Sequence, residues 1–268
     1  MRITTIAAAT ALGAALLGGA APPTSAQTGG SVITGAFDVG PGGEPGNFNP
    51  LDATAGFTWL SLYFEPLVIY DAKLVNIVGD LAPRFEVSAD QTSYTFHLAQ
   101  TRWHDGQPFT SADVAFTLGL ARNGATGSIF AARLGAIKTI ETPDDHTVTL
   151  HLSAPNASLM DTLTKVMMLP RHALSAIPAA ELPRNRWWST TPIGTGPFRF
   201  VRYVNNQFVT LAENPDYRGG KPKVDRLINR YFENTAGAVA ALRAGEIQFS
   251  YVESDDAASF RNQPGFRV

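Results

Sequence analysis

Two stretches of alternating polarity limit the architectures open to this chain. Tyr94, Phe96 and Leu98 face one way while Thr95 and His97 face the other, and Phe85 and Val87 begin the same pattern upstream. Val148, Leu150 and Leu152 repeat it, with Thr147, Thr149 and His151 on the polar side. A period of two is the pitch of a strand with one face buried, so both stretches read as half-buried antiparallel strands. They exclude an all-helical fold. On this reading His97 and His151 lie on the solvent side of a sheet, and neither is assigned to a metal.

The segment between these strands, Thr101 to Leu118, places Trp103, His104, Asp105 and Gly106 side by side ahead of a helical pattern. Asp105-Gly106 is a turn signal: glycine accepts positive φ, and an aspartate side chain can accept from the backbone two residues on. Thr110 or Ser111 then caps a helix, with Asp113 three residues after Thr110 as in a capping box. Val114 with Leu118, and Phe116 with Leu120, supply the i to i+4 apolar rows. A catalytic reading of His104 and Asp105 needs a nucleophile tied to the imidazole, and no Gly-x-Ser-x-Gly elbow occurs in the chain. A zincin would need His-Glu-x-x-His, which is also missing.

Elsewhere the punctuation is clear. Ser31 to Phe37 reads as a strand, followed by a loop rich in glycine and proline from Asp38 to Pro50 that lacks the Lys-Ser or Lys-Thr of a phosphate loop. Phe57 to Tyr70 is expected to be a helix broken at Pro66 with a strand beyond it, and Asn156 to Met168 a helix burying Leu159, Leu163 and Met167. Gly194-Thr195-Gly196-Pro197 must interrupt regular structure, and a lone Gly-x-Gly is a weak nucleotide signal. Strands are expected at 198–201, 208–211 and 228–232. Asn234 or Thr235 then caps a helix that Gly245 closes before a strand in 247–252, so that strand, helix and strand form a crossover in a mixed sheet.

The chain has 268 residues, 44% of them hydrophobic, enough for one large domain or two ordinary ones. Its 21 Lys and Arg against 23 Asp and Glu give a net charge of -2, which offers no field to hold nucleic acid. Residues 1–26 read as a secretory signal: Arg2, an uncharged run from Ile3 to Ala21, Pro22-Pro23, and a small-x-small site at Thr24-Ser25-Ala26. No cysteine is present, so neither a disulfide framework nor a lipid-modified cysteine can form. The expected location is the periplasm, without a lipid anchor.

In order along the chain, NFNPL at 47–51, YFEPLVIYD at 63–71, the run from Asp80 through WHDG to Leu118, LPRHAL at 169–174, PIGTGPFRF at 192–200 and LAENPDYRGGKPKVDRL at 211–227 resemble the extracellular solute-binding proteins of family 5. These are the peptide, oligopeptide and nickel binding components of bacterial ABC importers. The resemblance implies a class II fold like that of periplasmic binding proteins, α/β with mixed sheets. It implies a first lobe from 27–71 and 190–268, and a small α+β domain at 72–189. A facing lobe beyond Val268 is expected in such proteins and is not in this sequence. The implied role is hinged closure on a solute, a di- or oligopeptide above others, and delivery to the permease subunits by a monomer that is not an enzyme and carries no cofactor or metal. A secreted hydrolase or a fragment without function are the alternatives. Ligand contacts are expected from Glu44, Asn47, Asn49, Trp59 and Thr195. Trp103, His104, Asp105, Gly106, Gly194 and Gly196 are expected to be structural.

Overall fold

The computed structural model describes residues 30–36, 49–52, 57–252, 254–261 and 263–268. The expected signal segment lies outside them. Eleven strands are described: β1 (Val32–Ala36), β2 (Val68–Tyr70), β3 (Ile77–Gly79), β4 (Arg84–Val87), β5 (Ser93–His97), β6 (Ile137–Asp144), β7 (Thr147–Leu152), β8 (Phe198–Val204), β9 (Phe208–Glu213), β10 (Arg226–Arg230) and β11 (Phe249–Ser250). The helices are α1 (Phe57–Leu60), α2 (Ser111–Arg122), α3 (Leu159–Leu163), α4 (Arg171–Leu174), α5 (Trp187–Thr190), α6 (Thr235–Arg243) and α7 (Ser254–Phe260).

The strands form two main sheets and one hairpin. The larger sheet has the order β11-β1-β10-β9-β8, in which β1 runs parallel to both β10 and β11 while β8, β9 and β10 are antiparallel. The unit β10-α6-β11 therefore crosses over β1, as the strand, helix, strand pattern implied. The smaller sheet, β4-β5-β7-β6, is wholly antiparallel. Its alternation is the one read from sequence: Tyr94, Phe96, Val148 and Leu150 are buried, with Thr95, His97, Thr149 and His151 on the other face.

Helix α2 covers the buried face of this sheet. Asp113 Oδ2 accepts from the Thr110 N–H at 2.9 Å, the acidic half of a capping box, and Val114, Leu118 and Leu120 are buried. At the other end of the chain, α6 starts where Asn234 Oδ1 accepts from Gly237 N–H at 2.9 Å. It ends in a Schellman motif, with Gly245 N–H donating to Leu242 O, Glu246 N–H donating to Ala241 O, and Gly245 at φ +73°.

Three expectations need correction. The helix expected to run from Phe57 to Pro66 is only α1, which ends at Leu60. The helix expected over 156–168 is only α3, because Met167 bridges to Pro66 and Met168 N–H donates to Glu65 O, which draws residues 167–168 into extended pairing. The strand expected at 228–232 begins and ends earlier, at Arg226–Arg230, where register with β1 and β9 fixes it. One buried apolar cluster joins residues of both main sheets, from Phe96 and Leu150 to Val209, Leu211 and Leu227, with Trp59, Tyr63, Phe64 and Trp103 between them.

Candidate functional site

The parallel strands set the first candidate surface. Register pairs Gly35 with Asn229 and with Phe249, so β1, β10 and β11 end on the same edge of the sheet, at Ala36, Arg230 and Ser250. In open α/β sheets ligands bind outside the carboxyl ends of the strands. Tyr251 follows β11 there, its N–H donating to Ala36 O at 3.4 Å and its residue 46% exposed. Glu44 and Asn47, expected at the ligand, lie outside the described residues.

The other three residues expected at a ligand are inside the protein. Asn49, Trp59 and Thr195 are each 1% exposed. Asn49 Oδ1 accepts from Leu51 N–H at 3.1 Å, whose carbonyl in turn accepts from Ile129 N–H, and Trp59 is part of the central apolar cluster. Thr195 lies close to Glu65.

The Trp-His-Asp-Gly segment is a turn with a latch. Gly106 N–H donates to Trp103 O at 2.8 Å, Asp105 Oδ1 accepts from Gln107 N–H at 3.1 Å, and Gly106 has φ +89°. Trp103 is buried and its Nε1–H donates to Asp113 Oδ2 at 3.2 Å, tying the turn to the start of α2. His104 reaches outward to the loop before β8: Gly194 N–H donates to Nδ1 at 3.2 Å, and Nε2 lies 2.9 Å from Gly196 O. That pair of partners fixes the neutral tautomer protonated on Nε2, and burial, ahead of the charge of Arg199, pulls the pKa down from 6.5 to about 4. Asp105 does not pair with His104; its Oδ2 lies 2.7 Å from His172 Nε2. Gly194 and Gly196 are where they are because a Cβ on either would meet Tyr63 O, at 2.0 and 2.7 Å.

A second constellation was not anticipated. Glu65, 3% exposed, accepts at Oε1 from Tyr217 Oη and from Arg218 Nη2, both at 2.8 Å. The same Arg218 Nη2 also donates to Asp80 Oδ1. Burial, then the nearby Asp80 charge, raises Glu65 from 4.5 to about 7, and burial raises Asp80 as well. The sequence signal was available: Glu65 is the lone charge in the fourteen-residue apolar run FTWLSLYFEPLVIY. Among the described residues no group of three or more His, Asp or Glu is placed to hold a metal ion.

The sequence profile of the bacterial extracellular solute-binding proteins, family 5 Middle, matches residues 76–268, well over half of the chain. The chain belongs to this family. A Brucella ovis protein provisionally named an ABC transporter peptide-binding protein is 61% identical over 272 residues, covering 100% of this chain and 51% of the relative. The chain thus spans about half the length of the curated relatives it matches. The structure of the oligopeptide-binding protein AppA from Bacillus subtilis, in complex with a nonapeptide, is similar with a TM-score of 0.79 and 26% identity over 86% of this chain and 45% of that one. AgaA from A. tumefaciens R10, in complex with agropinic acid, gives 0.77 and 30% over 87% of this chain and 46% of that one. The fold is therefore the class II fold of periplasmic binding proteins. Family 5 is a solute-binding family of transport systems, not an enzyme family.

Proposed function

We propose that this chain acts in the solute-binding component of a bacterial ABC importer, in the periplasm, and takes a di- or oligopeptide for delivery to the permease subunits. The observation that carries the reading is the similarity to AppA, whose bound ligand is a nonapeptide, together with 61% identity to the Brucella ovis relative. The ligand-facing surface in this reading is the edge where β1, β10 and β11 end, next to the exposed Tyr251. Aromatic rings and loop amides suit a peptide, whose main chain supplies regular donors and acceptors while its side chains vary. A solute that touches two lobes stabilises the closed arrangement by its extra contacts there, which is how closure follows binding. The protein works as a monomer.

The test uses the product exported by the native host, its intact mass determined first. Defined di-, tri- and nonapeptides are titrated calorimetrically, with free amino acids and an opine as comparators. Saturable binding of peptides alone, weakened by Tyr251→Ala, supports the reading. Binding of the opine with none of the peptides overturns the substrate class. Binding unaffected by Tyr251→Ala moves the ligand away from this edge.

A further inference from the structure

Two carboxylates share one cation inside this protein. Glu65 and Asp80 both accept from the same Arg218 nitrogen, so they face each other within a few ångströms, and their side chains are 4% and 13% exposed. One guanidinium cannot neutralise two carboxylates, so full ionisation leaves an uncompensated negative charge at a site that is only partly open to water, with Glu65 itself buried. The groups facing Glu65 come from three other segments: Asp80 from the turn after β3, Tyr217 and Arg218 from the loop after β9, and Thr195 from the loop before β8. Of these, only Arg218 is cationic. Tyr217 and Arg218 both donate to Oε1, while the buried Oε2 has no hydrogen-bond partner, which leaves Oε2 as the place for a proton.

We propose that Glu65, Asp80 and Arg218 form a proton-operated latch, in which one proton held by the carboxyl pair seats residues 217–220 against the Glu65 and Asp80 segments and its loss loosens them. Protonated, the cluster is electrically balanced. Deprotonated, the two carboxylates repel across one nitrogen. The opposite end of this loop is fixed independently, since Arg199 donates to Asn214 Oδ1 at 2.7 Å and to Asp216 Oδ2 at 2.9 Å. Movement is thereby confined to 217–220, which ends in Gly219 and Gly220.

The first readout needs no substitution: carboxyl carbon NMR of the intact protein across the titration. Glu65 is expected to titrate near pH 7. A Glu65 midpoint below about 5, the ordinary carboxylate range, overturns the proposal. In Asp80→Asn, the like charge is gone and the Glu65 midpoint should fall by about one unit or more; an unchanged midpoint removes the shared proton. The second readout is amide hydrogen exchange at 217–220, corrected for the intrinsic pH dependence. Protection should be several-fold lower at about pH 8 than at about pH 6, and the difference should vanish in Glu65→Gln. Equal protection at both pH values in the unsubstituted protein would show that the loop does not respond to the proton.

Discussion

Replacing His104 with glutamine should flatten the acid limb of the protein's stability curve. The imidazole is held neutral by Gly194 N–H at Nδ1 and Gly196 O at Nε2, with a pKa of about 4 against an ordinary 6.5. Between those values the unfolded chain binds the proton and the folded one does not. Stability from this group is therefore present in full above about pH 6.5 and is lost as the pH falls toward 4. The gap corresponds to about 3 kcal/mol at its limit; since the residue keeps a partly exposed edge, a loss of about 2 kcal/mol between pH 8 and pH 4.5 is the working figure. Glu65 acts in the opposite sense. Its raised pKa means that the folded state binds the extra proton between 4.5 and about 7, so its contribution is present at low pH and lost as the pH rises. The two slopes oppose each other, so the pH profile of the unsubstituted protein alone decides nothing. The informative quantity is the difference between it and His104→Gln, in which Glu65 cancels. Urea unfolding at both pH values, followed by tryptophan fluorescence, gives that difference. If His104→Gln is less stable by the same amount at both, the buried neutral imidazole is refuted.

Gly194→Ala should cost about 2 to 3 kcal/mol, read as a lower melting temperature, because its Cβ would lie 2.0 Å from the Tyr63 carbonyl oxygen, a backbone atom that cannot step aside. A Cβ at Gly106 would meet no atom within 4 Å, so the cost of Gly106→Val, about 1 to 2 kcal/mol, is expected mainly from a β-branched residue at φ +89°; an unchanged melting temperature would mean that the turn is drawn wrongly. Asn234→Ala should lose about 1 kcal/mol and raise hydrogen exchange in the first turn of α6, while Asn234→Asp keeps the acceptor and most of the stability.

Local chemistry was legible in the sequence where neighbours in the chain are also neighbours in space. The alternation around Phe96 and Leu150, the acidic cap at Asp113, the Asp105-Gly106 turn and the Gly245 terminus each depend on residues within a few positions, and each is found as read. The misreadings share a physical cause. Residues 156–168 carry helical spacing, yet Met167 and Met168 are paired with Pro66 and Glu65, about a hundred positions away, and that pairing outweighs propensity. Trp59, expected near the ligand from the family resemblance, is buried in the central apolar cluster, as its place in the apolar segment 57–70 allows. Glu65 was passed over because its partners, Asp80, Tyr217 and Arg218, are far away in the sequence. A carboxylate with no local partner inside an apolar run is nevertheless a signal that one must exist elsewhere.

Tyr63 to Glu65 is where the two parts of the chain on either side of the smaller sheet are joined. Tyr63 O accepts from Gly196 N–H at 2.9 Å, Tyr63 Oη donates to Pro192 O, and its ring meets His104 edge to face at 4.9 Å. Phe64 fills the core, and Glu65 binds Tyr217 and Arg218. Three successive residues thus take a backbone clamp, an apolar anchor and a charged clamp. The glycines at 194 and 196 follow from this, since only a residue without Cβ lets the second strand of chain come that close to Tyr63. Two ionisable groups with opposed pH slopes, His104 on one clamp and Glu65 on the other, then guard the same junction. Acid loosens the first and base the second, so the junction is held most evenly between them, in the mildly acidic to neutral range.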